Sequence, residues 1–374
     1  MKLNEKRITD TFVKLTSIDS PSYRERQMAD YLKAVYEELG ITLAEDDTAP
    51  LFGGNAGNLF GRVPGEIPGA PILFSGHMDT VDPACGKKAI VHPDGKITSD
   101  GTTVLGADDV GCLTAVLEAV RYLKETGTPH RELELMFSPG EEHFSEGTRR
   151  FDFTKSRAKL GYVFDLTGPM GTAALQAPGS CHFWLTVHGK AAHAGFAPED
   201  GIHAIAIAAI AVSHLTFGHT DPVTTVNIGR INGGLMTNII PESCEVEGEI
   251  RSYEDEKIQY ELDKILNTFA KAAADKGGSI THRVEWCYKA LNTKKDSPAV
   301  AFYERACKKI GLPVRLTGTF GMSDCNHFPQ HGIEGIVVAS AMQQCHSTAE
   351  YTTVQDLVKL TELIITLMTQ EDAE

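Results

Sequence analysis

Residue types that bind metal ions follow a short apolar run near residue 77. The run Ile72–Phe74 leads into "SGHMDTVDP", in which His77 and Asp79 are two residues apart. Because alternate residues of an extended chain point to the same side, the imidazole and the carboxylate should face one way and Met78 the other. Both groups are common ligands of zinc, so this stretch is a candidate half of a metal site.

Three further apolar runs also lead to acidic or imidazole side chains. The runs are "LELMFSPGEE", "YVFD" and "GIVVASAMQQCHS", and "LGADDVG" adds an acidic pair at a predicted helix N-terminus. The residues concerned are Asp108, Asp109, Glu141, Glu142, Asp165 and His346. In an open α/β sheet, ligands bind beyond the carboxyl ends of the strands, so these side chains are expected to converge there.

Each of these residues also has a simple structural explanation. The acidic pair Asp108–Asp109 could cap a helix, Asp79 could stabilise a turn, and His346 could be a surface histidine. The combination argues otherwise, because many clustered carboxylates repel one another unless a cation neutralises them. Two histidines with several carboxylates suit zinc, cobalt or manganese, and the number of carboxylates allows two ions to share one bridging carboxylate.

The elements that must position these residues alternate along the chain. The apolar runs predict buried strands, and helical patterns lie between some of them, most clearly at Val110–Val120, which Gly127 and Pro129 follow. This order predicts an α/β fold, with a three-layer catalytic domain built on a mostly parallel sheet. Near the N-terminus, Ser22 and Glu25 have the spacing of a capping box before a helix.

The segment 179–288 has a different pattern. Its predicted elements follow the order β-α-β-β-α-β, which is that of a ferredoxin-like unit. We therefore expect an inserted lid domain at 179–288, and a catalytic domain formed by 1–178 and 289–374.

Composition excludes several classes of function. The chain of 374 residues has a formal net charge of -15, which argues against nucleic acids and anionic membrane surfaces as partners. The eight cysteines show no CxxC spacing, as expected for reduced thiols. The start "MKLNEKRITD" lacks the apolar core of a signal peptide, and the longest apolar run, Ala204–Val212, is too short to span a bilayer. A cytoplasmic location is the expectation.

Five short motifs, taken in order, resemble a known family. The motifs "SGHMDTV", "GADDVG", "SPGEE", "VFD" and "CHSTAEY", together with the inserted lid, resemble the dinuclear zinc exopeptidases. That family includes tripeptide aminopeptidases of the peptidase T type, glutamate carboxypeptidases and aminoacylases. The first two motifs look closest to the peptidase T type.

The resemblance implies a role for each of these residues. His77 and Asp165 would bind one metal ion, Glu142 and His346 would bind the other, and Asp108 would bridge them. Glu141 would be the general base, and Asp79 would orient the ring of His77 by hydrogen bonding. The cofactors implied are two zinc ions, with cobalt or manganese as alternatives.

The resemblance also implies substrate-binding residues. "GKAAHAGFAPEDGIHA" supplies His193, which in relatives reaches the active site of a partner subunit, so a homodimer through the lid is expected. The others are Asn238 and Arg251 in the lid, and Gly321 and Ser323 in "GTFGMSDCNHF". Two simpler interpretations stay open: His193 as a lid-surface histidine, and Arg251 as part of a structural ion pair.

The expected function is a metal-dependent exopeptidase that hydrolyses the N-terminal residue from short peptides, with tripeptides as substrates. One alternative is an amidohydrolase or carboxypeptidase acting on N-acyl amino acids or dipeptides. The other is a metal-dependent binding protein without catalysis. Two departures from the family, Val110 and His143, leave the exact substrate open.

Overall fold

The computed structural model describes residues 1–371, and the chain divides into two compact units. The larger unit comprises Met1–Gln176 and the chain from Asn292 onward, and the smaller comprises Ala177–Leu291. Each unit has its own cluster of buried apolar side chains. The expected limits of folding domains, 1–178 with 289–374 and 179–288, stay a prediction.

Helices occur in both units. The α-helices of the described residues are α1 (Glu5–Thr16), α2 (Arg26–Glu37), α3 (Ala107–Thr126), α4 (Ala204–Ser213), α5 (Asp255–Ala274), α6 (Pro298–Lys309) and α7 (Val354–Met368). Within this part of the chain, every helix is too short or too polar to cross a bilayer.

The strands belong to three sheets. They are β1 (Ala44–Glu45), β2 (Leu59–Val63), β3 (Ile67–His77), β4 (Ile90–Val91), β5 (Lys96–Thr98), β6 (Arg131–Ser138), β7 (Leu160–Leu166), β8 (Thr172–Ala177), β9 (Gly179–His188), β10 (Gly218–Asp221), β11 (Thr224–Gly233), β12 (Ser243–Ser252), β13 (Ser279–Tyr288), β14 (Leu291–Asn292), β15 (Arg315–Gly318), β16 (Glu334–Ala339) and β17 (Tyr351–Thr353).

The main sheet of the larger unit has the order β1-β2-β6-β3-β7-β16-β8-β14, with β15 paired to β8. Its centre, formed by β6, β3, β7 and β16, is parallel, and antiparallel pairs flank it. The predicted α/β fold with a mostly parallel sheet is confirmed. A small sheet, β17-β5-β4, lies in the same unit.

The central strands are largely buried, and their carboxyl ends lie at one edge of the sheet. Ile72, Leu73 and Phe74 of β3 are fully buried, as expected for a strand covered on both faces. In the parallel register, His77 lies opposite Ser138 of β6, and Ser75 lies opposite Val163 of β7. The carboxyl ends of these strands therefore meet at one edge of the sheet.

The predicted capping box before α2 is wrong. Glu25 occupies the N-cap position, but its side chain makes no capping hydrogen bond. Ser22 instead donates from Oγ to Oδ2 of Asp79 at 2.7 Å, and Glu25 accepts from the backbone of Tyr23 and Gly140. The buried carboxylate of Asp79 engages the hydroxyl of Ser22, and two backbone amides engage Glu25, so neither side chain caps the helix.

The smaller unit is a five-stranded antiparallel sheet with the order β10-β11-β12-β9-β13. Helices α4 and α5 pack on the sheet, and Phe183, Ile258 and Phe269 lie in its apolar core. The predicted β-α-β-β-α-β order is present, and the short strand β10 adds a hairpin at one edge. The predicted insertion of a ferredoxin-like lid is therefore confirmed as a fold.

Candidate active site

The predicted acidic and imidazole residues come together at the carboxyl edge of the main sheet. His77 is the last residue of β3, Asp165 lies near the end of β7, and His346 follows β16. Glu141 and Glu142 form a single-turn helix that begins three residues after β6. Asp108 completes the group from the start of α3. Residues far apart in sequence thus share one site.

Asp108 lies between the two histidines. Its Oδ1 is 3.0 Å from Nε2 of His77, and its Oδ2 is 3.3 Å from Nε2 of His346. His346 also lies 3.0 Å from Oε2 of Glu142. One carboxylate that presents a different oxygen to each histidine has the geometry of a bridging ligand.

Three groups of side chains could each hold a metal ion. Their ligand atoms lie within 4.8 Å of one another, and the groups are His77 with Glu141 and Asp165, His77 with Asp108 and Glu142, and Asp108 with Cys345 and His346. Together the three groups contain all five predicted ligands, and the first also contains Glu141, the predicted general base. Sequence analysis did not single out Cys345, although it immediately precedes His346.

Asp79 contributes to the site in two ways. Nδ1 of His77 lies 2.9 Å from the backbone oxygen of Asp79 and 3.5 Å from its Oδ1, so the carbonyl makes the shorter contact to the ring. The carboxylate accepts from the amide of Glu141 at 3.0 Å and from the amide of Glu142 at 3.2 Å. Asp79 therefore positions the two glutamates as well as the ring of His77.

The site concentrates negative charge away from water. Burial, followed by the neighbouring Asp165, raises the pKa of Glu141 well above its usual value. Burial and then Asp108 raise the pKa of Asp165 in the same way. Burial alone would lower the pKa of His77, but the hydrogen bonds that its ring donates to Asp108 and Asp79 raise it overall. Such crowding of carboxylates is relieved by cations, so two divalent ions fit this donor set of nitrogen and oxygen atoms.

The backbone that carries Asp108 is held by a residue that sequence analysis missed. Glu350 is buried and accepts from the amide of Gly106 at 2.6 Å and from the amide of Asp108 at 2.9 Å. Gly106 has φ 77°, which favours glycine, and the Asp108–Asp109 peptide is cis. Glu350 lies in the motif "CHSTAEY", but the motif does not show which amides it accepts from.

The close packing behind His77 depends on a glycine. A Cβ at Gly76 would lie 2.7 Å from Oδ2 of Asp109 and 2.5 Å from Sγ of Cys112. Oδ2 of Asp109 accepts from the amide of His77 at 3.2 Å. The second acid of the "DD" pair therefore supports the strand end, and the first faces the histidines.

The loop predicted to bind substrate has mixed roles. Gly321 lines a cavity of about 170 Å³ together with Asp108, Glu141 and His346. Ser323 is buried, and its hydroxyl accepts from the amide of Cys325 at 3.3 Å as the cap of a short helix. The hydroxyl of Ser323 thus already serves the fold, and its substrate role stays a prediction.

The predicted lid residues lie within the smaller unit. Nδ1 of His193 accepts from the amides of Gly195 and Phe196, both at 3.1 Å, and Asn238 accepts through its backbone oxygen from Ala194. Because Nδ1 is an acceptor, the ring proton belongs on Nε2.

Arg251 is engaged within the smaller unit by an acidic neighbour. Its Nε and Nη2 donate to the two oxygens of Glu249, both at 3.0 Å. Hydrogen bonds from His182 and Arg251 lower the pKa of Glu249 to about 2. The sequence left open that Arg251 forms a structural ion pair, and this pair is present with Glu249. The role of Arg251 in substrate binding stays a prediction.

The two departures from the family have different surroundings. Val110 is buried in the core of the larger unit, where it packs as an ordinary apolar residue. His143 is exposed, and its ring lies 4.9 Å from that of Tyr23. Neither side chain belongs to the three groups that could hold a metal ion.

Comparison with known proteins identifies the class. Residues 175–279 match the M20 family's peptidase dimerisation domain. The uncharacterised protein YqjE of Bacillus subtilis (strain 168) is 36% identical over 366 residues, which are 98% of each chain. The aminopeptidase PepT from Bacillus cereus ATCC 10987 superposes with a TM-score of 0.91 at 36% identity over 98% of each chain. A tripeptidase from Staphylococcus aureus subsp. aureus Mu50 gives 0.93 at 32% identity, again over 98% of each chain.

Fold and site together define a hydrolase of the exopeptidase class. The chain belongs to the M20 peptidase family, in the group that resembles peptidase T.

Proposed function

We propose that this protein is a metal-dependent aminopeptidase that releases the N-terminal residue from short peptides, with tripeptides as preferred substrates. The names of two similar structures, an aminopeptidase and a tripeptidase, support the substrate class. The observation that carries the proposal is the position of Asp108, whose two oxygens face His77 and His346 at 3.0 and 3.3 Å.

The proposed metal shell is the one that the family resemblance implies, and the closeness of these side chains at the edge of the sheet supports it. His77 and Asp165 would hold one ion, and Glu142 and His346 the other, with Asp108 shared. When bound, two divalent cations supply Lewis acidity that acidifies a water molecule and polarises a peptide carbonyl. Zinc is the proposed metal, because imidazole nitrogens and carboxylate oxygens suit it, with cobalt or manganese as substitutes.

Glu141 is the proposed general base. It is buried at the edge of the cavity, and its amide is fixed by Asp79, so its carboxylate has a defined place near the shared ligands. Glu141 would take the proton of the attacking water and later transfer it to the leaving amine. The raised pKa of Glu141, caused first by burial and then by Asp165, supports a role in proton transfer.

The lid is proposed to act across a homodimer in the cytoplasm. Support comes from the match to a dimerisation domain and from three exposed apolar residues, Phe196, Leu235 and Met236, with exposed fractions of 87%, 86% and 65%. His193, with its proton on Nε2, would donate to the developing oxyanion in the partner's site. Asn238 and Gly321 would contact the peptide. Leu235→Glu should shift the molar mass measured by light scattering from dimer to monomer, whereas Leu51→Glu on the larger unit, also exposed, should not.

A hydrolysis panel tests the proposal. Ala-Ala-Ala, its N-blocked form, Ala-Ala and an N-acyl amino acid are assayed with zinc, cobalt or manganese added after chelation. The proposal expects cleavage of free tripeptides first, weak cleavage of the dipeptide, and none of the blocked peptide. Preference for the N-acyl substrate would establish the amidohydrolase alternative, and stoichiometric metal without hydrolysis of any substrate would establish the binding protein.

A further inference from the structure

The loop Ser20–Glu25, which precedes α2, lies directly behind Asp79. The backbone oxygen of Ser20 accepts from the amide of Thr80 at 2.9 Å, and Pro21 forms an isolated bridge with Thr80. Oγ of Ser22 donates to Oδ2 of Asp79 at 2.7 Å. The side chain of Ser22 therefore contacts Asp79, and the backbone of Ser20 contacts Thr80.

Glu25 connects the same loop to the turn before the proposed base. Its Oε1 accepts from the amide of Tyr23 at 2.7 Å and from the amide of Gly140 at 3.0 Å. Its Oε2 is buried and has no hydrogen-bond partner among the described residues. Gly140 immediately precedes Glu141 and has φ 65°. One oxygen of Glu25 thus fixes the backbone at the point where the chain turns into the proposed base.

The loop itself is held in an unfavourable backbone conformation. Tyr23 has φ 70°, in the left-handed region that residues with a Cβ seldom adopt. Such strain persists where surrounding contacts fix it, and it is common next to functional sites. The hydrogen bond from the amide of Tyr23 to Glu25 is one of those contacts, so Glu25 stabilises the loop and the Gly140 turn together.

We propose that Ser22 and Glu25 are positioning residues for the proposed general base, an inference that rests on the proposed peptidase function. Ser22 fixes the carboxylate of Asp79, whose oxygens hold the amides of Glu141 and Glu142, and Glu25 holds the amide of Gly140. Three consecutive amides at and around the proposed base are therefore held either by Glu25 or by Asp79, which Ser22 fixes. The S-x-x-E spacing near the N-terminus serves the reaction rather than the start of α2.

This arrangement should affect turnover more than substrate binding. Neither Ser22 nor Glu25 belongs to the groups of side chains that could hold a metal ion, and neither lines the cavity. Loosening the turn would misplace Glu141 in the transition state while leaving substrate contacts intact, so kcat should fall and KM should stay.

The first comparison uses two serines of the same loop. Ser22→Ala removes a hydrogen bond to a charged carboxylate, so kcat should fall by about tenfold to a hundredfold while two metal ions stay bound. Ser20→Ala is the matched control, because the hydroxyl of Ser20 is buried without a partner in the part of the chain that the structure describes. Equal kcat values for the two variants, or loss of metal from Ser22→Ala, would overturn the proposal.

The second comparison uses Glu25. Both amides bond to the same oxygen, so Glu25→Gln can keep both hydrogen bonds and should retain kcat within about threefold, whereas Glu25→Ala should lose about tenfold or more. Equal losses in the two variants would show that charge or packing, not the position of the turn, determines the effect.

A measurement without substrate separates this inference from the proposed function. Hydrogen–deuterium exchange of the peptide covering 138–146 should be faster in Ser22→Ala and Glu25→Ala than in the native chain and Ser20→Ala. Glu25→Ala removes the acceptor of the Gly140 amide, and Ser22→Ala removes the hydrogen bond that holds Asp79, the acceptor of the Glu141 and Glu142 amides. Unchanged exchange would overturn the inference even in an active peptidase. Faster exchange in a protein without peptidase activity would keep the structural link and refute the proposed function.

Discussion

The carboxylate of Glu350 holds the backbone amide of Asp108 rather than the carboxylate of Asp108. Oε1 of Glu350 accepts from the amide of Asp108 at 2.9 Å, while the carboxylate of Asp108 stays available to the two histidines. His346 lies four residues before Glu350, so one segment carries a proposed ligand and also holds the backbone of the proposed bridging ligand. A disturbance of Glu350 should therefore reach the metal shell.

Glu350→Gln should weaken metal binding. The two oxygens of Glu350 accept from two different amides, and an amide side chain can replace only one acceptor while its NH₂ group faces the other N–H. Loss of support of this kind costs about 10- to 100-fold in metal affinity. Competition with a chromophoric chelator measures this affinity, and Glu362→Gln, which removes a surface ion pair on α7, is the control. Equal affinities in both variants would contradict the role assigned to Glu350.

Glu141 and Glu142 should respond to substitution in opposite ways. Glu141→Ala should keep two metal ions and lose about 100- to 10,000-fold in kcat, because a general base is removed and the proposed ligands remain. Glu142→Ala should lose metal, because its carboxylate contacts His346 at 3.0 Å. Metal content by elemental analysis, measured beside kcat, checks both. Metal loss in Glu141→Ala with retention in Glu142→Ala would mean that the two roles are exchanged.

Much of this site follows from local sequence patterns. The apolar runs that end in His77 and Asp165 indicate buried parallel strands, and parallel strands bring their carboxyl ends to one edge. The pattern therefore predicted which residues converge. It did not show that the carbonyl of Asp79 lies closest to the ring of His77, because a spacing of two residues is the same for either contact.

Other features depended on contacts between distant segments. The S-x-x-E spacing at Ser22 and Glu25 is compatible with a helix cap, and the backbone of Gly140, more than a hundred residues away, determines its actual use. Glu350 was missed for the same reason, since its partners lie near residue 106. Propensity and periodicity describe neighbours along the chain, whereas these carboxylates satisfy buried amides that tertiary packing brings to them.

Arg251 should show its role through the form of the substrate's C-terminus. If it binds the terminal carboxylate, Arg251→Ala raises KM for a free tripeptide and leaves KM for the tripeptide amide unchanged. The ion pair with Glu249 predicts that the pKa of Glu249 rises in Arg251→Ala, because Glu249 loses a donor that lowers it. Steady-state kinetics with both substrates decides the question. Equal changes in KM for both would assign Arg251 to the structure of the lid.

Removal of metal should destabilise the protein, increasingly so at higher pH. Burial, followed by neighbouring carboxylates, raises the folded-state pKa of Glu141 and Asp165. The metal-free protein therefore loses stability as the pH rises above the pKa of these groups in the unfolded chain, which is about 4, and the loss continues until the groups ionise in the folded protein. Bound cations offset this repulsion and add stability by mass action. Thermal unfolding with and without chelator, between pH 5 and pH 8, should show a widening gap in Tm. A gap that narrows with rising pH would contradict the assignment.

The path of the chain into and out of the lid has a consequence for deletion of the lid. The chain leaves the larger unit after Gln176 and returns at Asn292, and these residues are neighbours: Nε2 of Gln176 donates to Oδ1 of Asn292 at 3.0 Å, and β8 pairs with β14. A chain that lacked Ala177–Leu291 would need only a short connection between Gln176 and Asn292. Such a chain would keep every residue of the proposed metal shell, because all five lie in the larger unit.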